Sequence, residues 1–382
     1  MIGLRAESDP GRSIVHISSR YPPAVGGMEQ VVQSIARNQH RLGMQVRVLT
    51  SDRGRGRGPQ EGEPFPVARL KSVTIAHTPI IPSLLPRLLN LDRDSIIHLY
   101  VSCAYTPEVV WMYARLRGRP YLAHICIDVL PSGLAGWLLG PYKRLLLRRV
   151  IRDAAAVLVP TPDYQELISE KYGIPQDRVV VIGCGTEHRI AERPKSLSGK
   201  REQRRLLFVG RLTVQKNIPL MLAAIAVYLR RYGNDISLAI VGEGEARRAV
   251  ESQIDDLGLR DVVALHGSLH GAALQSAYED SDLLLLTSTN ESFGLVFIEA
   301  MTKALPIVSV NIPAVRNVVI NGVNGLLAES TPEAVADAIH TLLADKDLYS
   351  SVSRNNLATS RDYDWKVIAE NLATIYDSVP SS

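Results

Sequence analysis

Cysteine is scarce in this chain. The three residues, Cys103, Cys126 and Cys184, are odd in number and widely spaced among 382 positions. That spacing excludes a disulfide framework and a Cys-x-x-Cys site, and it fits a reducing cytoplasm. Long apolar runs are also missing, and none approaches the roughly 20 residues that span a bilayer. Residues 1–12 are polar and lack the apolar core of a signal peptide. Excess charge of one sign is small: a net charge of +4 is too mild to imply a nucleic-acid partner. The one basic, glycine-interleaved run, Arg53 to Gly58, lies between two expected strands and reads as a solvated loop. A cytoplasmic protein is expected.

What is present describes a soluble α/β protein. Apolar residues make up 46% and charged residues 21%, the balance of an ordinary globular chain. The length exceeds what one core usually supports, so two domains are expected. Short apolar runs at 13–18, 45–50, 96–101, 154–160 and 179–182 alternate with helical patterns. The same alternation returns at 205–209, 237–241, 262–266, 281–288 and 306–310. Between them, 188–205 is polar and without apolar runs, as a linker is. The expected division is residues 1–190, a linker at 191–204, a second domain at 205–362, and a closing helix at 363–382 that packs back on the first domain. Each domain is expected to be a doubly wound parallel sheet.

The most informative stretch is 288–299, S-T-N-E-S-F-G-L-V-F-I-E. An all-leucine run, 283–286, precedes it and reads as a strand buried on both faces. A polar loop follows, and then a helix entered through Gly294. The free amides of a helix's first turn make an anion site there. Glu291 and Glu299 bracket that helix end, which suits a ligand with hydroxyls on both sides of a phosphate, as in a nucleotide sugar. Arg211 and Lys216, five residues apart after Gly210, are placed to grip a diphosphate, one as a fork and one as a point charge. Gly26-Gly27 opens a helix in the first domain and allows close backbone approach. Gly242-Glu-Gly244 begins like a dinucleotide fingerprint, but Arg247 stands where the third glycine belongs, which disfavours NAD.

Two segments carry a second reading. If 120–129 stays extended, His124, Cys126 and Asp128 share one face. A polar trio at the carboxyl edge of a parallel sheet is expected there rather than a metal site. Segment 132–152 alternates Trp137 and leucines with Lys143, Arg144, Arg148, Arg149 and Arg152. It forms a basic amphipathic helix that packs as a domain face or rests, through 137–152, on an anionic membrane surface.

At Gly210-Arg211-Leu, Lys216-Asn217 and the Glu-x7-Glu spacing of Glu291 and Glu299, the chain resembles glycosyltransferase family 4. Gly26-Gly27, the His124 strand, Gly242-Glu-Gly244, 321–327 and Asp364-Trp365 extend the likeness over nearly the whole chain. It departs at 184–187, Cys-Gly-Thr-Glu, and at 312–317, which lacks a glycine and a glutamate usual in that loop.

The resemblance implies a GT-B fold and retaining transfer of a hexose-type sugar, most readily from a UDP-sugar, to a hydroxyl acceptor. It assigns Arg211 and Lys216 to the diphosphate, helped by backbone at Gly26 and Gly27 and by the amides of Gly294, Leu295 and Val296. Glu299 takes the ribose hydroxyls, while Gly267 and Leu269 enclose the base. Glu291 faces the sugar with Phe293 beside it, and His124 touches the sugar or the acceptor. His124, Arg211, Lys216 and Glu291 form the expected catalytic set. No metal or other cofactor is implied. The expected partners are the nucleotide sugar and an acceptor that is either a small natural product or a lipid-linked glycan. A nucleotide-sugar epimerase or hydrolase, and a scaffolding protein on a degenerate frame, are the competing readings.

Overall fold

The computed structural model describes residues 13–24, 26–53, 62–75, 78–126, 142–186, 189–197, 203–291 and 293–379. The chain forms two compact units, one from residues 1–185 with 365–382, the other from 186–364.

The first unit is built on strands β1 (Ser13–Ile17), β2 (Gln45–Ser51), β3 (Val67–Leu70), β6 (Ile96–Tyr100), β7 (Tyr121–His124), β8 (Ala156–Val159) and β9 (Val179–Val181), with β4 (Val73–Ile75) and β5 (Thr78–Ile80) forming a separate antiparallel pair. The seven strands lie in the order β3-β2-β1-β6-β7-β8-β9, all parallel. Central strands β1, β6 and β7 are buried along their whole length. This explains why their sequences read as near-continuous apolar runs rather than as alternation. Helix Gly27–Arg41 packs on the C-terminal helix Trp365–Ser378. Residues 365–382 therefore belong to the first unit.

The second unit carries β10 (Arg204–Val209), β11 (Ile236–Val241), β12 (Val263–Gly267), β13 (Leu283–Leu286), β14 (Ile307–Val310) and β15 (Leu326–Ala328). Their order is β12-β11-β10-β13-β14-β15, again all parallel. In both sheets the direction of winding reverses beside the first strand, at β1/β6 and at β10/β13. Ligands of open α/β sheets bind at such a switch, outside the carboxyl ends of the strands. The four leucines of β13 are fully buried, each contributing about 1.5–3 kcal/mol of transfer free energy. That burial fixes the strand whose far end carries Glu291.

Several expectations change. Strand β7 stops at His124, and Cys126 lies in a bend. The alternation that would align His124, Cys126 and Asp128 is broken, and Asp128 lies outside the described residues. Of the basic segment, residues 132–141, including Trp137, also lie outside them. The remainder is a π-helical turn, Lys143–Leu147, running into a short α-helix, Arg148–Asp153. Leu147, Val150 and Ile151 join the core, while Leu145 and Leu146 stay exposed beside Arg148, Arg149 and Arg152. The polar stretch ahead of β10 is held, where described, against the second unit. Ala191 N donates to Thr302 O (2.7 Å), and Lys195 Nζ reaches the carbonyls of Tyr278, Glu279 and Ser281.

Candidate active site

In the second unit the loops leaving β10 and β13 meet at the switch point. Lys216 ends a 3-10 turn, Val214–Lys216, and Asn217 takes a left-handed conformation to enter helix Ile218–Tyr232. Thr287 Oγ1 donates to the carbonyls of Lys216 (3.2 Å) and Asn217 (3.0 Å), and Thr289 N to Gln215 O (2.9 Å). The two loops are thus tied together. Across them Lys216 Nζ lies 2.5 Å from Glu291 Oε1, which also accepts from Ser288 Oγ at 2.8 Å. The lysine and glutamate side chains are only 18% and 10% exposed. At that burial, removing one partner would leave the other charge uncompensated. Arg211 is exposed, and its guanidinium makes no hydrogen bond or ion pair with a described residue.

Gly294 enters helix Leu295–Thr302 at φ +75°, and a Cβ there would meet the Phe297 ring at 2.5 Å. Only glycine fits both the backbone and the space. The amides of Leu295 and Val296 open the helix, where no intrahelical acceptor exists for them. Phe293 is buried edge-on against Tyr363. Glu299, on the same helix, accepts from the Tyr278 hydroxyl at 2.6 Å. Burial, reinforced by that carboxylate, pushes the tyrosine's pKa well above its ordinary value.

Gly242 and Gly244 have a packing role. A Cβ on Gly242 would lie 1.8 Å from Gly210 O, and one on Gly244 2.3 Å from Leu212 O. Their absence lets the β10 and β11 loops lie backbone on backbone, joined by Leu212 N to Glu243 O and Ala246 N to Leu212 O, both 3.0 Å. Gly267 closes β12 at φ +67°, with Glu243 Oε1 over its bare Cα face and Leu269 half-buried two residues on.

The first unit offers a different surface. At Gly26 a Cβ would sit 2.2 Å from Glu29 Oε2, so the glutamate folds back over the glycine at the start of its helix. A carboxylate there complements the helix dipole. Across β1, β6 and β7 runs a buried polar chain. His16 Nδ1 is 3.1 Å from Tyr100 Oη and His16 Nε2 is 2.8 Å from Gln39 Oε1. Gln39 Nε2 donates to Tyr376 Oη (2.9 Å), which is 2.6 Å from His98 Nδ1. His98 Nε2 is 3.0 Å from His124 Nδ1. His124 Nε2 is buried and has no hydrogen-bond partner among the described residues. Burial lowers all three histidines, His16 to about 4, His124 to about 3 and His98 well below the usual value.

Comparison with known proteins joins these observations. Residues 26–185 match the model described as glycosyl transferase 4-like domain, and residues 189–358 match that of glycosyl transferases group 1. The chain belongs to glycosyltransferase family 4. Among the relatives of this glycosyltransferase, D-inositol 3-phosphate glycosyltransferase of Thermobispora bispora is 28% identical, over 95% of this chain and 92% of the relative. Alpha-D-kanosaminyltransferase of Streptomyces kanamyceticus is 28% identical over 70% of this chain and 73% of its own. The crystal structure of Anabaena HepE in complex with UDP and glucose superimposes with a TM-score of 0.74 at 19% identity, covering 96% of this chain and 100% of that one. The fold is GT-B, and the enzyme transfers a glycosyl group from a nucleotide-sugar donor.

Of the residues expected at the site of this glycosyltransferase, Lys216 and Glu291 meet at the second unit's switch point, Arg211 lies on the loop that leads from β10 to Lys216, and Gly294–Val296 follow Glu291 into the next helix. Glu299 lies one helical turn further along, and Gly267 and Leu269 lie at the same sheet edge, beyond β11. Lys216 and Glu291, taken from sequence as separate contacts, are joined to each other. Gly26, Gly27 and His124 lie in the first unit. Sequence reasoning missed Ser288, Tyr278, Glu29 and the partners of His124. A hydroxyl three residues before Glu291 was a readable signal; Tyr376, 278 positions from His98, gave none.

Proposed function

We propose that this glycosyltransferase moves a hexosyl group from a UDP-sugar to a hydroxyl acceptor with retention of anomeric configuration. The observation that carries the proposal is the Lys216–Glu291 pair at the β10/β13 switch point, with exposed Arg211 on the loop from β10 and a free helix end following Glu291. Departure of the nucleoside diphosphate places negative charge on phosphate oxygens. Arg211, free of protein partners among the described residues, Lys216 and the Leu295 and Val296 amides are the donors for that charge. Each such donor is worth about 3–4 kcal/mol of barrier. With these groups in place, no bound metal is required for neutralisation.

Glu299 accepts the ribose hydroxyls in place of, or beside, Tyr278. Glu291, released by Lys216 as the lysine turns to phosphate, faces the sugar. Gly267 and Leu269 border the base, Phe293 backs the loop, Gly26 and Gly27 offer backbone to the donor, and His124 meets the sugar or the acceptor. In retaining transfer on one face, the leaving phosphate accepts the acceptor's proton, so no separate base is needed. UDP as the nucleotide is supported by the UDP-bound neighbour of the same fold.

The acceptor is a small natural product, such as an antibiotic aglycone, or a lipid-linked glycan. Leu145 and Leu146, exposed beside Arg149 and Arg152, suit the latter by peripheral contact with an anionic membrane. Liposome flotation with and without anionic lipid separates the two.

The test of the reaction is a screen of UDP- and GDP-sugars with anomer-resolved NMR of the product. Retention with a UDP-sugar is expected, and inversion would overturn the mechanism. Near-normal turnover in both Arg211→Ala and Glu299→Gln would overturn the site.

A further inference from the structure

The buried chain of the first unit determines where its protons sit. Gln39 Oε1 faces His16 Nε2, and a carboxamide oxygen only accepts. His16 therefore carries its hydrogen on Nε2, and its Nδ1 receives the Tyr100 hydroxyl proton. Gln39 Nε2 faces Tyr376 and only donates. The tyrosine oxygen accepts that bond and gives its own proton to His98 Nδ1. His98 then holds its hydrogen on Nε2 and donates it to His124 Nδ1. A neutral His124 is left with its single N–H on Nε2, the atom without a partner among the described residues. Burial keeps all three rings neutral, since it depresses their pKa values. An unpaired buried donor is destabilising, so its presence calls for a role such as completion by a ligand.

We infer that Tyr376, on the C-terminal helix, is a positioning residue that acts through His98 to hold His124 as the tautomer presenting Nε2–H to a ligand oxygen. The inference rests on the reading, given above, that His124 meets the sugar or acceptor. Which imidazole nitrogen bears the proton is set by the bond its other nitrogen makes, and here that bond is traced back to a hydroxyl 252 residues further along the chain. The same hydroxyl anchors the helix, so the test must separate anchoring from proton placement.

Histidine-selective 15N labelling of the full chain, read by long-range 15N–1H correlation at neutral pH, reports each tautomer, with His124→Asn assigning the signal of interest. His16, His98 and His124 are all expected as Nε2–H. Tyr376→Phe keeps the ring and deletes one oxygen. His124 is then expected to gain an Nδ1–H population, and kcat to fall about tenfold, as when a histidine loses the group that orients it. Donor KM is expected to change by less than about twofold, because the proposed diphosphate and ribose contacts are untouched. A helix anchor alone would leave the tautomers in place. Nδ1–H on His124 in the wild-type spectrum overturns the inference even if the variant fails to fold. So does a folded Tyr376→Phe with unchanged tautomers and kcat. Full activity in His124→Asn, with Nε2–H seen in the wild type, would overturn the site reading while the proton assignment stood.

Discussion

The two units share one winding pattern and use their carboxyl edges in opposite ways. At the β10/β13 switch the polar groups are charged and reachable: Arg211 is exposed, and Lys216 holds Glu291 in a pair that solvent still touches. At β1, β6 and β7 the polar groups are neutral and buried, with His16, His98 and His124 at 0%, 0% and 1% exposure. A charged edge suits the binding of charge that develops during a reaction. A buried neutral chain suits holding one hydrogen-bond donor in a single proton arrangement, because the low dielectric enforces it. The same architecture thus carries two kinds of polar surroundings, and loop and strand residues decide between them.

Acid should break this contrast most strongly. The unfolded chain binds protons on these histidines near pH 6.5, whereas the folded chain refuses them until about 4 at His16 and about 3 at His124. Between those values the unfolded state binds more protons, so stability falls as pH falls. Three such groups give about 4 kcal/mol per pH unit. All three tryptophans, Trp111, Trp137 and Trp365, fall within the first unit's residue ranges. Denaturant titrations followed by tryptophan fluorescence from pH 7 down to pH 5 should therefore show a steep loss, and a flat profile would mean the histidines are not buried. Next in size is Arg211→Ala. It should lower kcat/KM by about 10²–10³ without shifting the fluorescence transition, since one phosphate donor is lost. Glu299→Gln follows, with calorimetry expected to show UDP binding about 10–100-fold weaker, the value of hydrogen bonds to a charged acceptor. The smallest effect is expected from chelation: EDTA should leave turnover unchanged, and a loss restored by a divalent ion would show that the arginine and lysine do not suffice.

Much of the second unit was legible in sequence because its signals are local. The leucine run that becomes β13, the glycine that starts the next helix and the glutamates around it are all read within a dozen residues. The first unit's edge was not. His16 and His98 each stand in an apolar strand with no local hint of function, and their alignment follows from the pairing of β1 with β6, which no periodicity reveals. Strands β3, β4, β5 and β15 were missed because runs of three or four residues carry too little pattern. The second unit's polar entry looked like a free linker because Lys195 gives no sequence sign of the three carbonyls it reaches.

The way the chain leaves and re-enters the first unit has a consequence for its biogenesis. Thr186 and Asp364, the ends of the second unit, are bridged to each other, and Thr186 N donates to Tyr363 O. The second unit is therefore a guest inserted into a host, with its own ends meeting at the point of insertion. On the ribosome the guest is fully translated by residue 364, while the host still lacks its last helix and the hydroxyl that Gln39 and His98 await. The body begun first is the last to be completed.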